Sequence, residues 1–125
     1  GNREEVVVFG SDYDTFDGSC IRDYIHVNDL AEAHLSALGY LENQNKDLVV
    51  NLGTSEGLSV LEVLRIAIKV SETEFKYTLG PRRAGDPAVV LAKASLAKKL
   101  LHWTPKNSDA TTLLETSLRA YRKSS

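Results

Sequence analysis

The sequence has very little cysteine and no long apolar run, and both shortages restrict the class of protein. Its one cysteine, Cys20, excludes an internal disulfide framework and suits a reducing compartment. The longest apolar runs, such as residues 89–92, are far too short to span a bilayer. The first residues do not form a basic and then apolar signal sequence. We therefore expect a cytoplasmic protein without a membrane partner.

Neither sign of charge is in large excess. The formal net charge is −2 at pH 7, so no global field would attract the chain to nucleic acid or to an acidic membrane surface. The hydrophobic fraction of 42% and the charged fraction of 26% are ordinary for a globular protein. A length of 125 residues is enough for one compact domain with a sizeable core. We expect no nucleic-acid partner.

Glycine-rich phosphate loops and metal-binding clusters are also missing. Residues 51–57, NLGTSEG, have neither the GxGxxG spacing of a dinucleotide site nor the Gly-Lys-Ser/Thr of a P-loop, so we interpret them as a strand-to-helix turn. The three histidines are dispersed, and Cys20 has no partner at metal spacing. Cys20 also has no evident base beside it, and no Ser-His-Asp arrangement is present. We expect no metal site and no catalytic residue.

What is present is an alternation of strands and helices, which predicts an α/β protein. The run 48–52, LVVNL, is almost wholly apolar, as is typical of a strand covered on both faces. One such strand between two helices is typical of a piece of a larger parallel sheet. Strands are predicted over 5–9, 21–27, 48–52, 75–79 and 89–92, and helices over 29–41, 59–70, 94–101 and 108–122.

Helix caps can be predicted from local sequence. Asn28 or Asp29 can cap the first helix, and Ser59 with Glu62 three positions later forms a capping box for the second. The second helix is apolar nearly all round, so we expect it to be buried on more than one side. We interpret Trp103 as a packing anchor.

The most distinctive segment is Phe9–Leu30, FGSDYDTFDGSCIRDYIHVNDL, which suits a site for a polar, anionic ligand better than a core. Arg22 lies where its loop meets a predicted strand, and a guanidinium fork matches phosphate oxygens. The alternative is a salt bridge from Arg22 to a nearby carboxylate, and such carboxylates more often shape turns than catalyse. The candidate partners are Asp17, Asp23 and Asp29.

A second polar segment, residues 81–86 or PRRAGD, lies in a loop between two predicted strands. One of its arginines can bind a phosphate while its acid accepts hydrogen bonds from a sugar diol. The alternative is a solvated turn with an internal Arg–Asp pair worth about 0–1 kcal/mol. Together with Arg22, this segment offers two arginines to one diphosphate.

Four blocks of this sequence, in this order, resemble the C-terminal third of the UDP-glucose 4-epimerase family of extended short-chain dehydrogenases/reductases. The blocks are VVVFGSDYDTFDGSCIRDYIHVNDLAEAH, VVNLGTSEGLSVLEVL, PRRAGDPA and LHWTP, and they cover most of the chain. The resemblance implies that residues 1–125 form the C-terminal UDP-sugar-binding portion of that fold. It also implies that one helix and one strand, about 28–52, belong to the NAD-binding sheet and pack on the Rossmann domain.

The resemblance further implies the reaction of the whole enzyme, the interconversion of UDP-galactose and UDP-glucose. A bound NAD takes a hydride from C4, the 4-keto sugar rotates, and the hydride returns to the other face. The family's catalytic Tyr-x-x-x-Lys and glycine-rich NAD loop are not in this sequence. The chain on its own is therefore expected to have no epimerase activity, to bind no NAD and to bind UDP weakly or undetectably.

By motif position, several residues resemble the substrate-binding residues of the family. Arg22 and Arg83 resemble the two arginines that hold the diphosphate, and Asp86 resembles the acid that bonds the ribose. Phe9, with the backbone near Val7, resembles the segment that packs against uracil.

Val90 resembles the position whose bulk limits the space around the substituent at C2 of the sugar. A valine there implies a roomy pocket that admits N-acetylated sugars.

Three turn positions depart from the family pattern. Phe16 stands where proline is usual, Ser55 where glycine is common, and His102 where the Leu-Gly-Trp pattern has glycine. Because glycine at such a position often serves a positive φ angle, we expect local backbone adjustment there.

Two other functions remain open. One is a fragment of a sugar-nucleotide dehydratase or decarboxylase, although those enzymes keep only a looser version of RDYIHVNDLA. The other is a stand-alone, non-catalytic UDP-sugar-binding module. In the family fold the run 48–52 belongs to the NAD-binding sheet, and without the other strands of that sheet it would expose an apolar edge, which predicts a homodimer or a domain-swapped oligomer.

Overall fold

Strands and helices alternate along the chain in the computed structural model, which describes residues 5–124. The predicted α/β class is confirmed. The strands are β1 Glu5–Phe9, β2 Ile21–Arg22, β3 Leu58–Ser59, β4 Lys76–Gly80 and β5 Val89–Val90. The helices are α1 Val27–Gln44, α2 Val60–Ser71, α3 Ser95–Leu101 and α4 Ala110–Ser124.

The strands form two small sheets. In the first, β1 pairs with β4 in parallel, from Glu5↔Lys76 to Phe9↔Gly80. In the second, β2 lies between β3, which is antiparallel to it, and β5, which is parallel. Each sheet therefore joins an early segment of the chain to a segment that follows α2.

The core lies between α1 and α3. Ala33 of α1 packs with Ala97 and Leu101 of α3 and with Trp103, and all four are buried. The indole Nε1 of Trp103 also donates a hydrogen bond of 2.9 Å to the carbonyl oxygen of Asp29. The prediction that Trp103 is a packing anchor is confirmed.

The predicted strand over 48–52 is wrong: within the described chain these residues pair with no strand. Leu48, Val50 and Leu52 pack against the core cluster, whereas Val49 between them is 89% exposed. This alternation puts one side of the segment on the core. A strand also needs a neighbour to share its ladder of hydrogen bonds, and the described residues supply none here.

Two other strands are shorter than predicted, and the carboxylate of Asp23 explains why both of them end early. The strand predicted over 21–27 stops at Arg22, and the strand predicted over 89–92 stops at Val90. Asp23 Oδ2 accepts a hydrogen bond of 3.1 Å from the backbone N–H of Ala92. The Asp23 side chain thus binds the backbone N–H that a longer β2–β5 pairing would use, and the ladder of hydrogen bonds ends there.

The two predicted helix caps have opposite outcomes. The Ser59–Glu62 capping box is confirmed, with Glu62 N donating to Ser59 Oγ at 3.0 Å and Ser59 N donating to Glu62 Oε2 at 2.8 Å. The Asn28 or Asp29 cap is wrong, because His26 caps α1 and its Nδ1 accepts from Asn28 N at 3.0 Å. The Asp29 carboxylate is engaged elsewhere.

The burial predicted for α2 is only partly correct. Leu64 is its one buried residue, while Arg65 and Lys69 are exposed and the others are half-buried. Contact with α4 covers one flank of the helix.

Two of the three departures from the family pattern have the predicted backbone. Ser55 has φ 62° and His102 has φ 50°, both in the left-handed region where glycine avoids the Cβ penalty of roughly 1–2 kcal/mol. Phe16, the third departure, lies in a turn and is largely exposed.

Candidate functional site

The structure brings Arg22, Arg83 and Asp86 together. Arg22 Nη2 lies 3.4 Å from Asp86 Oδ1, and Arg83 Nε lies 3.4 Å from Asp86 Oδ2. One guanidinium therefore faces each oxygen of a single carboxylate. The Arg83–Asp86 pair expected for a turn is present. Asp86 also contacts Arg22, which lies on β2, the central strand of the three-stranded sheet.

Arg22 is held firmly by its backbone surroundings. It ends β2, which is paired on both sides, and its Nη1 donates to the carbonyl oxygens of Ile21 at 2.8 Å and of Pro87 at 3.0 Å. Only 24% of its side chain is exposed. The guanidinium is thus oriented by two carbonyls before any ligand binds.

Arg83 is held differently, because 65% of its side chain is exposed. Its guanidinium carbon lies 4.6 Å from the centre of the Phe9 ring, within the range of a cation–π contact. Phe9 is the last residue of β1, so this contact joins the β1–β4 sheet to the arginine group.

Val90 completes a continuous set of the five predicted site residues. It pairs with Arg22 in the parallel register of β2 and β5, so the two lie at the same level of the sheet. Phe9 contacts Arg83, and Arg83 contacts Asp86. Asp86 in turn contacts Arg22, which pairs with Val90.

Within the described residues, none of the three local carboxylates forms an ion pair with Arg22, and each has a structural role instead. Asp17 accepts from Ser19 N and from the hydroxyls of Ser19 and Ser59. Asp23 accepts from Thr54, Ser55 and Ala92. Asp29 accepts from residues 106–108. The prediction that such aspartates shape turns is confirmed.

Asp23 connects the two loops that flank Arg22. Burial alone would raise its pKa, but hydrogen bonds from Thr54, Ala92 and Ser55 outweigh burial and hold the pKa below its ordinary value. An ionised Asp23 therefore fastens residues 54–55 and 92 to the end of β2.

Sequence reasoning missed Arg82. Its Nε donates to Asp12 Oδ1 at 2.7 Å, a second nitrogen donates to the Asp12 carbonyl, and its guanidinium carbon lies 4.2 Å from the centre of the Tyr13 ring. The hydrogen bond from Arg82 holds the pKa of Asp12 below its ordinary value. Arg82 thereby fastens the loop after β1 to the loop that carries Arg83, and the adjacent arginines of PRRAGD were the available signal.

The site is open. Two cavities, of about 760 Å³ and about 1120 Å³, lie elsewhere in the described chain, and neither is lined by any of the five site residues. The larger is lined by residues of α2, α4 and the first residues of β1 and β4. Phe9, Arg83 and Val90 are each more than a third exposed, so the arginine pair lies on an open surface that another part of a protein would have to cover to enclose a ligand.

Two classes of site are absent from residues 5–124. Their His, Cys, Asp and Glu side chains form no group of three or more that could hold a metal ion. None of their helices combines the length and the apolar character needed to cross a membrane.

Comparison with known proteins shows the relatives of this chain. Residues 1–53 match the model of the NAD dependent epimerase/dehydratase family. The UDP-glucose 4-epimerase of Lacticaseibacillus casei is 44% identical over 117 residues, which are 94% of this chain and 35% of that enzyme. The chain is homologous to UDP-glucose 4-epimerases. It spans about a third of the length of the curated epimerases that it matches.

Solved epimerase structures agree in fold. The UDP-Glc/GlcNAc 4-epimerase from Campylobacter jejuni superposes with a TM-score of 0.90 at 45% identity, over 98% of this chain and 37% of that one. The UDP-glucose 4-epimerase from Bifidobacterium longum, in complex with NAD+ and UDP, gives 0.87 at 40% identity, over 98% and 36%. The fold is that of the matching part of the extended short-chain dehydrogenases/reductases.

The described residues do not fit a dinucleotide, although structures of epimerase relatives carry NAD. The two glycines that follow β1, Gly10 and Gly18, are too far apart for the GxGxxG spacing that lets a backbone approach a pyrophosphate. In the turn before β3, the N–H groups of Thr54 and Ser55 already donate to Asp23.

Proposed function

We propose that this chain is the C-terminal UDP-binding part of a UDP-glucose 4-epimerase that interconverts UDP-galactose and UDP-glucose through a 4-keto sugar with bound NAD. The observation that carries the proposal is the convergence of Arg22 and Arg83 on the two oxygens of one carboxylate, Asp86. Two guanidinium groups aimed at neighbouring oxygens suit a diphosphate, because planar donors bind such anions with fixed geometry. The epimerase relatives at 40–45% identity support the substrate class.

Each of the remaining site residues has a role in this proposal. Asp86 accepts hydrogen bonds from the ribose hydroxyls, and Phe9 packs against uracil with the backbone near Val7. Phe9 lies at the end of β1 and contacts Arg83. This contact supports an arrangement in which uracil and the diphosphate bind side by side along one surface.

Residues of about 28–52 pack on the NAD-binding domain in this proposal, and the enzyme works in the cytoplasm. Apolar side chains on the outer side of α1 support the packing. Leu35 and Leu38 are 69% and 57% exposed, although the opposite side of the helix lies against the core. An exposed apolar surface of this kind is typical of an interface.

A hybrid enzyme tests the proposal. The segment of the Lacticaseibacillus casei epimerase that aligns with this chain is replaced by the chain itself, and conversion of UDP-galactose is followed with NAD present. We expect activity within about tenfold of the parent enzyme, because the fold and arginine pair are kept. A hybrid that folds and binds NAD but converts no UDP-galactose would contradict the proposal. Retained UDP binding in such a hybrid would favour the stand-alone binding module.

The same hybrid tests the proposal for Val90. A valine at this position leaves room for an N-acetyl group at C2 of the sugar, so UDP-N-acetylgalactosamine is expected to be converted as well. The Campylobacter relative, a UDP-Glc/GlcNAc 4-epimerase, supports the idea. Complete inactivity on the N-acetylated sugar would end it.

The chain on its own is expected to be a dimer or a larger oligomer. Leu35, Leu38 and Val49 expose apolar area that self-association would bury. Light scattering at high concentration measures the mass, and the double variant Leu35→Glu/Leu38→Glu is expected to shift it toward the monomer. Gln44→Glu, which adds charge to α1 without removing apolar surface, is the control. A monomeric unaltered chain would refute the prediction.

A further inference from the structure

Two neighbouring arginines, Arg82 and Arg83, contact the chain on either side of the point where β1 ends. The guanidinium of Arg83 lies on the ring of Phe9, the last residue of β1. The guanidinium carbon of Arg82 lies 4.2 Å from the centre of the ring of Tyr13, in the loop that follows β1. The proposed function assigns a ligand to Arg83 and gives Arg82 no role.

We propose that Arg82 is a positioning residue for substrate binding, which holds Arg83 beside Phe9 and makes no contact with the ligand itself. This inference rests on the proposed function, in which Arg83 binds the diphosphate and Phe9 packs against uracil. The contacts of Arg82 join the loop 81–86 to the loop after β1, and they thereby fix the distance between these two parts of the site.

Arg82 is attached to the loop after β1 by three contacts with two adjacent residues. Its Nε donates to Asp12 Oδ1 at 2.7 Å, and a second nitrogen donates to the Asp12 carbonyl oxygen. The face of the guanidinium lies on the Tyr13 ring. Because the group is planar and rigid, two donors in its plane and one contact on its face fix its orientation as well as its position.

The backbone beneath this attachment is closely packed. Gly10 N donates to the Gly80 carbonyl oxygen at 2.9 Å, which extends the β1–β4 pairing by one residue beyond Phe9. A Cβ built on Gly10 would lie 2.3 Å from Cε2 of Tyr13 and 3.0 Å from Cγ of Arg82. Both side chains therefore lie directly against the end of the β1–β4 sheet, so a shift of Arg82 would move the loop 81–86 relative to β1.

Arg83 depends on such support more than Arg22 does. Arg22 ends a strand that is paired on both sides, and it donates to two backbone carbonyls. Arg83 lies in a loop and is 65% exposed, and its Nε is 3.4 Å from Asp86 Oδ2, a length at which an ion pair is weak. A Cβ built on Gly85 in the same loop meets no atom within 4 Å, so packing does not restrain the turn there. The position of Arg83 therefore follows from the attachment of its neighbour.

The first test uses NMR of the chain itself and needs no ligand. Protons of Arg83 that lie over the Phe9 ring are shifted upfield by the ring current in the unaltered chain. We expect this upfield shift to be largely lost in Arg82→Ala, because the loop is released, and to be kept in Arg65→Ala. Arg65 is the matched control, since it is an exposed arginine that also pairs with an aspartate. An unchanged shift in Arg82→Ala would overturn the inference.

The second test measures the kinetics of the hybrid epimerase with UDP-galactose. We expect Arg83→Ala to raise KM by about tenfold or more and Arg82→Ala to raise it by about fivefold. The kcat should change by less than about twofold, because the diphosphate is not the reacting group. The double variant is expected to match Arg83→Ala alone, since a positioning residue has no effect without the residue that it positions.

Two kinetic results would count against the positioning role. If the effects of the single variants on KM multiply in the double variant, Arg82 acts independently of Arg83 and the inference is wrong. If Arg82→Ala lowers kcat and leaves KM unchanged, part of the enzyme is merely unfolded, and the inference is wrong as well.

Asp12→Ala separates positioning from a change in the electrostatic field, and it is the second variant if Arg82→Ala does not fold. The Asp12 side chain is 74% exposed, so its loss should not unfold the chain. Removal of a negative charge near the arginines would by itself attract a diphosphate more strongly and lower KM. Positioning predicts the opposite, a rise in KM of about twofold to threefold and a smaller upfield shift of Arg83. A lower or unchanged KM would contradict the inference.

Failure of the proposed function is a separate result. Arg83→Ala would then leave the KM of the hybrid unchanged, or the hybrid itself would be inactive. The upfield shift of the Arg83 protons in the chain would still decide whether Arg82 positions Arg83.

Discussion

Replacement of Asp29 by alanine is expected to lower the free energy of unfolding by at least about 3 kcal/mol. The Asp29 side chain is fully buried and accepts hydrogen bonds from Lys106 N at 3.0 Å, from Asn107 N and Nδ2 at 2.9 and 2.8 Å, and from Ser108 Oγ at 2.5 Å. Removal of the carboxylate leaves these donors without their acceptor, at a cost of about 1–3 kcal/mol for each donor that stays buried. These bonds join the first turn of α1 to the segment before α4.

The same carboxylate gives a pH dependence. Burial alone would raise its pKa, but hydrogen bonds from Ser108, Lys106 and Asn107 outweigh burial and lower the pKa to about 2. Because the folded-state pKa lies below the ordinary value of 3.8, the ionised group stabilises the fold above about pH 4. That contribution is lost as the pH falls toward 2.

Urea denaturation at pH 7 and at one fixed protein concentration measures the effect. Asp47→Ala, at an exposed position after α1, is the control and is expected to change the unfolding free energy by less than about 0.5 kcal/mol. A loss below about 1 kcal/mol for Asp29→Ala would show that residues 106–108 find other acceptors. The acid-induced loss of stability below pH 4 should be smaller in Asp29→Ala than in the unaltered chain.

Arg22→Ala in the hybrid epimerase is expected to lower kcat/KM for UDP-galactose by about 100-fold or more. Hydrogen bonds to charged groups contribute about 1.5–3 kcal/mol each, and the proposed function gives Arg22 at least two with the diphosphate. Arg22→Lys should recover little, because one ammonium cannot bind the carbonyls of Ile21 and Pro87 and a phosphate with the same planar fork.

Arg65→Ala is the matched control for loss of a positive charge. Arg65 is 63% exposed on α2 and lies 3.9 Å from Asp17, so its removal should change kcat/KM by less than about twofold. Full activity of Arg22→Ala would place the diphosphate elsewhere and remove the basis of the proposed function.

Features set by neighbours in sequence were predictable here. The Ser59–Glu62 capping box needs only a spacing of three, and the left-handed backbone at Ser55 and His102 could be predicted from two missing glycines. The residues of the candidate site were found by motif, and the structure brings all five together.

Features set by distant partners were not predictable. From local sequence, Asp17, Asp23 and Asp29 were the candidate ion-pair partners of Arg22. Its partner in the structure is Asp86, which lies 64 positions away. The cap of α1 was missed because Asp29, a good capping residue in isolation, bonds residues 106–108. Residues 48–52 have the composition of a strand, but a ladder requires a neighbour that composition does not supply.

The pairing of β1 with β4 and of β2 with β5 makes the arginine surface depend on contacts between distant parts of the chain. Its residues come from the first part of the chain and from positions beyond 80, so their encounter requires closure of loops of about seventy residues. No short peptide from this sequence can reproduce the surface. Under the proposed function, the affinity of the hybrid enzyme for UDP therefore reports whether these distant segments have paired as in the native fold.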